Sequence, residues 1–218
     1  MATNNLPAVR LVEIERAAEQ ARQTVGEQLA EYGLAFDRDT DLRHAATVLT
    51  GGPVDAEPNL TADGERLAGM LVWSDHGTAI LFEAYDPPVR QRFSIAHELG
   101  HFCLHASGSQ RVHRRCQAGS VNPDEIGPPE PSSAPPVGVG RPGAANVVDI
   151  EAEADAFAGA FLLPRGDFQE ALSRFGPCDA FLARLFQVSE ATFRRRTRDL
   201  ALIAAQAGEA WPRREVAP

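Results

Sequence analysis

His97 and His101 stand four residues apart, with Glu98 beside the first, in the run His97-Glu98-Leu99-Gly100-His101. On a helix two such side chains lie about 40° apart and one turn up, so both imidazoles reach one ion. Zinc suits neutral histidine, and its catalytic sites use three protein ligands and keep a fourth position open. Glu98 is then placed to take a proton from a water that the metal acidifies. Phe93, Ser94, Ile95 and Ala96 before the motif, and Phe102, Cys103 and Leu104 after it, support a helix. Ile95, Leu99 and Phe102 give that helix a buried side. The competing reading is a surface helix with two unrelated histidines. A purely structural metal site has no need of the Glu98 carboxylate.

A catalytic zinc needs a third ligand. A histidine six residues after His101 would supply it in one class of such sites, but Ser107 stands there. His105 lies eight residues from His97, about 12 Å along a straight helix, so both cannot bind one ion. His105 reads instead as a packing residue or an outer partner. Glu151, Glu153 and Asp155 open a later helix whose apolar stripe is Ile150, Ala154, Phe157, Ala158, Phe161 and Leu162. On a helical wheel Glu151 sits at the edge of that stripe and Glu153 points more towards water. Either these acids merely favour the helix start through its dipole, or Glu151 is the third ligand. The upstream histidine pair favours the second reading. Asp155, on the flank of Glu151, is then placed to accept the second N–H of a ligand histidine. Ala154 and Ala158 are small enough to let the two helices approach closely. Tyr85, His105 and His113 are candidates to stabilise an oxyanion.

The elements that must position these residues follow from periodicity and punctuation. Leu11, Ile14, Ala18, Ala21, Val25 and Leu29 predict a helix over about 8–32, stopped by Gly33. Residues 37–66 are polar and mixed, with a turn at Gly51-Gly52-Pro53. Runs at 69–73 and 78–82 read as a β-hairpin. Asp86-Pro87-Pro88 starts the histidine helix, which should run to about His105 and close at Gly108. Residues 121–147 hold seven prolines and four glycines, which predicts a mobile loop or lid. Arg111, Arg114 and Arg115 around His113 read as loop charges, the alternative being that they line the cleft and meet a substrate carbonyl. Order returns at Asp149 and the helix ends at Pro164. Asp167 and Glu170 have capping-box spacing and start the next helix. Helices over 179–186 and 190–203 flank the turn Gln187-Val188-Ser189, and the tail after Gly208 reads as loose.

Composition bounds the rest. The chain has 218 residues, 44% hydrophobic and 23% charged, enough for a real core and for one domain, or one plus an appendage. It has neither a run of 18 apolar residues nor a secretory h-region, so a cytoplasmic protein without a membrane span is expected. Three cysteines with no Cys-x-x-Cys pair suggest neither a disulfide framework nor a cysteine zinc site. The net charge is −9, against a protein that lives on nucleic acid. All 21 basic residues are arginine, which reads as codon bias. Phe181, Leu182, Leu185, Val188 and Phe193 have the apolar spacing of a helix-turn-helix. Arg194, Arg195, Arg196 and Arg198 then suggest either DNA contact by a recognition helix or a solvated charged face. In so acidic a chain the second is the expectation.

The run RQRFSIAHELGHFCLH at 90–105 and the run EAEADAFAGAFLLP at 151–164 together resemble the ImmA/IrrE family of zinc-dependent peptidases. The hairpin before the first run, and 186–191 with the arginine-rich helix behind it, extend the resemblance over about 66–203. It implies an α+β fold: a small gluzincin-like zinc peptidase core followed by a helix-turn-helix-like part. The family's metal ligands fall on His97, His101 and Glu151, holding one zinc ion per chain, and its catalytic glutamate falls on Glu98. Members are cytoplasmic bacterial or phage proteins, and several act on helix-turn-helix repressors, switching on stress, DNA-damage or mobile-element genes. The expected division is a helix at 1–36, a metallopeptidase domain at 37–165 with an insertion at about 108–148, helices at 166–207 and a tail at 208–218. The expected activity is hydrolysis of a repressor that binds as a strand added along 78–82, with Glu98 activating the attacking water. Two other readings compete: a regulator or sensor with a structural or vestigial metal site, and an interaction partner of the toxin–antitoxin kind.

Overall fold

The computed structural model describes residues 6–62, 64–74, 77–105, 114–117 and 149–211. The expectations for Ser107, Gly108, His113, the proline-rich run and the end of the tail lie outside them. The elements are α1 (Ala8–Ala30), α2 (Leu42–Thr50), β1 (Val54–Glu57), β2 (Thr61–Ala62), β3 (Glu65–Ser74), β4 (Gly77–Glu83), α3 (Pro88–His105), β5 (Arg114–Gln117), α4 (Ile150–Leu162), α5 (Arg165–Phe175), α6 (Asp179–Leu185) and α7 (Glu190–Ala207). This is a mixed α+β fold. None of the described helices is long and apolar enough to cross a membrane.

One core joins all the helices. The six residues of the N-terminal stripe, from Leu11 to Leu29, are buried as their spacing predicts. They pack with Ile95, Leu99, Phe157, Phe161 and Phe193 from α3, α4 and α7. Each fully buried large apolar side chain of this kind contributes about 1.5–3 kcal/mol. Arg196 is buried among them, its guanidinium donating to both Glu15 carboxylate oxygens at 2.6 and 2.7 Å and to the Leu163 carbonyl at 2.9 Å. A charge taken from water needs that full set of partners.

The sheet has the order β1-β4-β3-β2, with β5 also paired to β3. β3 and β4 form the expected hairpin, from Gly69↔Phe82 to Ser74↔Gly77. β1 runs parallel to β4, from Val54↔Ile80 to Glu57↔Glu83. A Cβ on Gly52 would lie 1.6 Å from the Thr78 carbonyl oxygen, so only glycine lets the chain pass there. Both edges of β4 are therefore taken. A substrate strand cannot add along 78–82, which corrects that expectation. β5 pairs antiparallel along 67–71 of β3, on the side away from β4. Arg114 and Arg115 thus belong to a strand, not to a loop.

Two further differences have local causes. α2 arises in a stretch that reads as polar and mixed, because only Leu42, Ala45 and Ala46 are buried in its nine residues. Its ends are nonetheless punctuated: Asp41 accepts from the Arg43 N–H, and Gly51 takes the left-handed conformation at φ 69°. α5 begins at Arg165 behind Pro164, not at Asp167, which sits in the first turn instead of capping it. The proline both ends α4 and fixes φ for the next helix.

Glu83, buried at the end of β4, holds the turns around it. Burial works against its charge, but N–H groups of Tyr85, Leu60 and Asn59 outweigh this and hold its carboxyl below the usual range. A lowered native pKa contributes stability above the unfolded pKa of about 4.3, lost as pH falls through the native value. Glu83→Gln should therefore flatten the acid limb of a stability-against-pH curve and lower stability at pH 7. An unchanged acid limb would count against this role.

Candidate metal centre

Helices α3 and α4 cross so closely that a Cβ on Gly100 would meet Ala154 Cα at 2.9 Å and Ala154 O at 3.0 Å. The small residues Gly100 and Ala154 at the crossing bring Glu151, at the start of α4, onto the histidine pair. Asp149 caps that start by accepting from the Ala152 N–H at 3.0 Å. Gly100→Ala should cost about 1–3 kcal/mol of stability, because backbone must move. Denaturant unfolding checks this, and a cost near zero would mean that the helices can slide apart freely.

His97 Nε2 and His101 Nε2 are 3.0 Å apart. Glu151 Oε2 lies 3.3 Å from the first and 3.5 Å from the second. Ligand atoms at about 2.0–2.1 Å from a tetrahedral zinc are about 3.3–3.4 Å from each other. The three donor atoms therefore fit the corners of one tetrahedral face, and this trio could hold a metal ion. Burial works against charge on Glu151, but His101 and His97 outweigh it and hold its carboxyl well below the usual range.

The outer nitrogens of both histidines are also engaged. Asp155 Oδ1 lies 2.8 Å from His97 Nδ1, the contact that the spacing predicts. Asp155 Oδ2 accepts from Arg195 Nη1 at 2.7 Å, and Arg195 Nη2 donates to the Ala152 carbonyl at 3.1 Å. His101 Nδ1 lies 3.1 Å from His105 Nδ1, and His105 Nε2 lies 3.1 Å from Glu153 Oε2. Arg10 from α1 holds Glu153 through two bonds of 2.6 and 2.7 Å. This guanidinium, with His105 behind it, outweighs burial and keeps the Glu153 carboxyl below the usual range.

Glu153 is thus buried, not turned towards water, while the Glu151 side chain is 40% exposed. The wheel fails here because α4 is covered on nearly every side. α3 covers one flank and α1 another, so the flank that looks polar in sequence faces Arg10.

Glu98 is fully buried. A Cβ on Gly69 would lie 2.9 Å from Glu98 Oε1 and 3.3 Å from its Cγ. Gly69 of β3 thus lies against the Glu98 side chain, a contact that sequence reasoning missed. Nothing but its place inside an apolar strand could have marked it, since an isolated strand glycine often signals close approach. The Glu98 side chain can yield where backbone could not. Gly69→Ala should therefore keep the fold yet displace the carboxylate, and a misplacement near 1 Å can cost about 100-fold in rate. A folded Gly69→Ala protein with full activity in a cleavage assay would remove Gly69 from the site. Tyr85, by contrast, is 70% exposed in the turn before α3.

Three of the four arginines of the α7 cluster are paired within the molecule, although Arg194 stays on the surface. Arg194 pairs with Asp179 and Glu190, Arg195 with Asp155, and Arg196 with Glu15. Arg198 is exposed.

A comparison with curated proteins gives no match. The family Peptidase M78, described as the IrrE N-terminal-like domain, matches residues 62–121 and 144–198, just over half of the chain. Those two blocks carry both α3, with its histidine pair, and α4, with Glu151. The trio that could hold a metal ion and the extent of this match agree, and the chain belongs to the M78 peptidase family.

Proposed function

We propose that the chain is a zinc-dependent endopeptidase whose metal ligands are His97, His101 and Glu151, with Glu98 as the catalytic base. The observation that carries this reading is the triangle of donor atoms at 3.0, 3.3 and 3.5 Å, with Glu98 buried next to the first ligand in sequence. One zinc ion per chain fits the donor set, and when bound it supplies a Lewis acid for the scissile carbonyl and the attacking water. Glu98 takes the proton of that water as it attacks the carbonyl carbon, then delivers it to the amine as the C–N bond breaks. Asp155 accepts from His97 Nδ1–H, which keeps Nε2 free to bind metal.

The substrate class proposed is a protein, specifically a helix-turn-helix repressor, with control of stress or mobile-element genes as the consequence. Support comes from the family resemblance, and the sheet packed against the histidine helix is read as a gluzincin-like core. The substrate strand is assigned to the outer edge of β5, since β4 is enclosed. The pair α6 and α7 is read as helix-turn-helix-like, the turn between them using Gln187 at φ 55°. Direct DNA contact would fall to exposed Arg194 and Arg198, because Arg195 and Arg196 brace the interior. A cytoplasmic location goes with this substrate.

Incubation with purified repressors of the helix-turn-helix type tests the proposal. Discrete repressor fragments should appear with zinc-loaded protein, disappear on chelation with 1,10-phenanthroline, and return when zinc is restored. An intact repressor with zinc-loaded protein would reject this substrate, and cleavage indifferent to chelation would reject the zinc mechanism.

A further inference from the structure

We infer that Arg10, Glu153 and His105 form a positioning chain that fixes the proton of His101 and so sets the metal affinity of the site, making helix α1 part of the metal centre. The inference rests on the reading of His101 as a ligand through Nε2.

The chain has one consistent proton arrangement. His101 Nε2 faces His97 Nε2 and Glu151 Oε2, so metal binding requires its lone pair there. The proton of neutral His101 then sits on Nδ1 and is donated to His105 Nδ1 at 3.1 Å. His105 accepts on Nδ1, so its own proton sits on Nε2 and is donated to Glu153 Oε2 at 3.1 Å. Glu153 accepts only, and its two oxygens also receive Arg10 Nε and Nη2 at 2.6 and 2.7 Å. Every donor along the line meets an acceptor. His101 and Glu153 are buried and His105 is nearly so, which leaves water little part in holding them.

Arg10 is carried on an anchored helix, because α1 buries the run from Leu11 to Leu29. Glu13, one turn on, takes the remaining Nη1 of Arg10 at 2.7 Å and helps to aim it. Arg10 also lies before the residues matched to the family, so this brace comes from outside the matched peptidase blocks. His97 has a parallel support in Asp155 and Arg195 of α7. The two histidines are therefore held by arginines from opposite ends of the chain.

Zinc affinity of the full chain, stripped and then titrated with zinc against a chromogenic chelator, tests the inference without using activity. Melting temperature is read alongside. His105→Ala should raise the zinc Kd by about 10–100-fold, the usual cost of losing an outer partner of a ligand histidine. Arg10→Ala should raise it in the same direction by a smaller factor. His105→Asn offers Oδ1 to the His101 N–H but has lost the link to Glu153, so it should recover part of the affinity. Glu15→Gln breaks a different ion pair of α1, that with Arg196, and should lower the melting temperature with the zinc Kd unchanged. Where His105→Ala does not fold, Arg10→Ala and His105→Asn decide. Wild-type affinity in the Arg10 and His105 variants overturns the chain while leaving zinc binding in place. So does a Glu15→Gln variant that weakens zinc as much as Arg10→Ala, since helix docking alone would then be responsible. Failure of the wild type to bind zinc, or equal binding by His97→Ala, overturns the ligand reading itself and this inference with it.

Discussion

Glu98→Gln should leave zinc content and melting temperature nearly unchanged and reduce repressor cleavage by about 10²–10⁴-fold. Glutamine keeps the size of the side chain under Gly69, so the strand and helix need not move. All three proposed ligands stay in place. What is lost is the group that accepts a proton, and a carboxamide cannot do so near neutral pH. A regulator with a structural metal predicts the reverse pattern. There Glu98→Gln behaves as wild type, and loss of exposed Arg194 and Arg198 abolishes function. Arg195 and Arg196 are unsuitable for that comparison. Arg195 touches Asp155 and Arg196 fills the core, so their loss would disturb the peptidase as well. Full derepression by Glu98→Gln in a reporter strain, with no repressor fragment, would end the peptidase reading.

Glu151→Ala should lose stoichiometric zinc, whereas Glu153→Gln should retain it at micromolar metal with a raised Kd. The first removes one of three donors from the triangle. The second leaves the triangle whole and disturbs only the line behind His101, where effects of about 10–100-fold are typical. Elemental analysis after gel filtration separates the two. The opposite ranking would move the third ligand to Glu153 and would contradict the 3.3 and 3.5 Å contacts of Glu151.

The histidine pair, its glutamate and the helix that carries them are set by residue order alone. A four-residue spacing in a helix leaves no freedom about which side chains share a face. The hairpin and the N-terminal stripe are local in the same sense, and they appear where periodicity and punctuation put them. The contact of Asp155 with His97 was also legible, given one assumption about which helix meets which.

Tertiary structure decided the rest, wherever the controlling contact comes from distant chain. Burial of Glu153 depends on Arg10, 143 residues away, and a wheel drawn for one helix carries no knowledge of its neighbours. Gly69 matters only because β3 passes over Glu98. The enclosure of β4 follows from a parallel pairing with β1, and a short strand in a polar stretch gives that pairing no local signature. The arginines of α7 look like a binding face because they are consecutive and charged. Folding instead places Asp155 and Glu15 opposite two of them, and partners that sequence cannot see turn a basic patch into an internal brace.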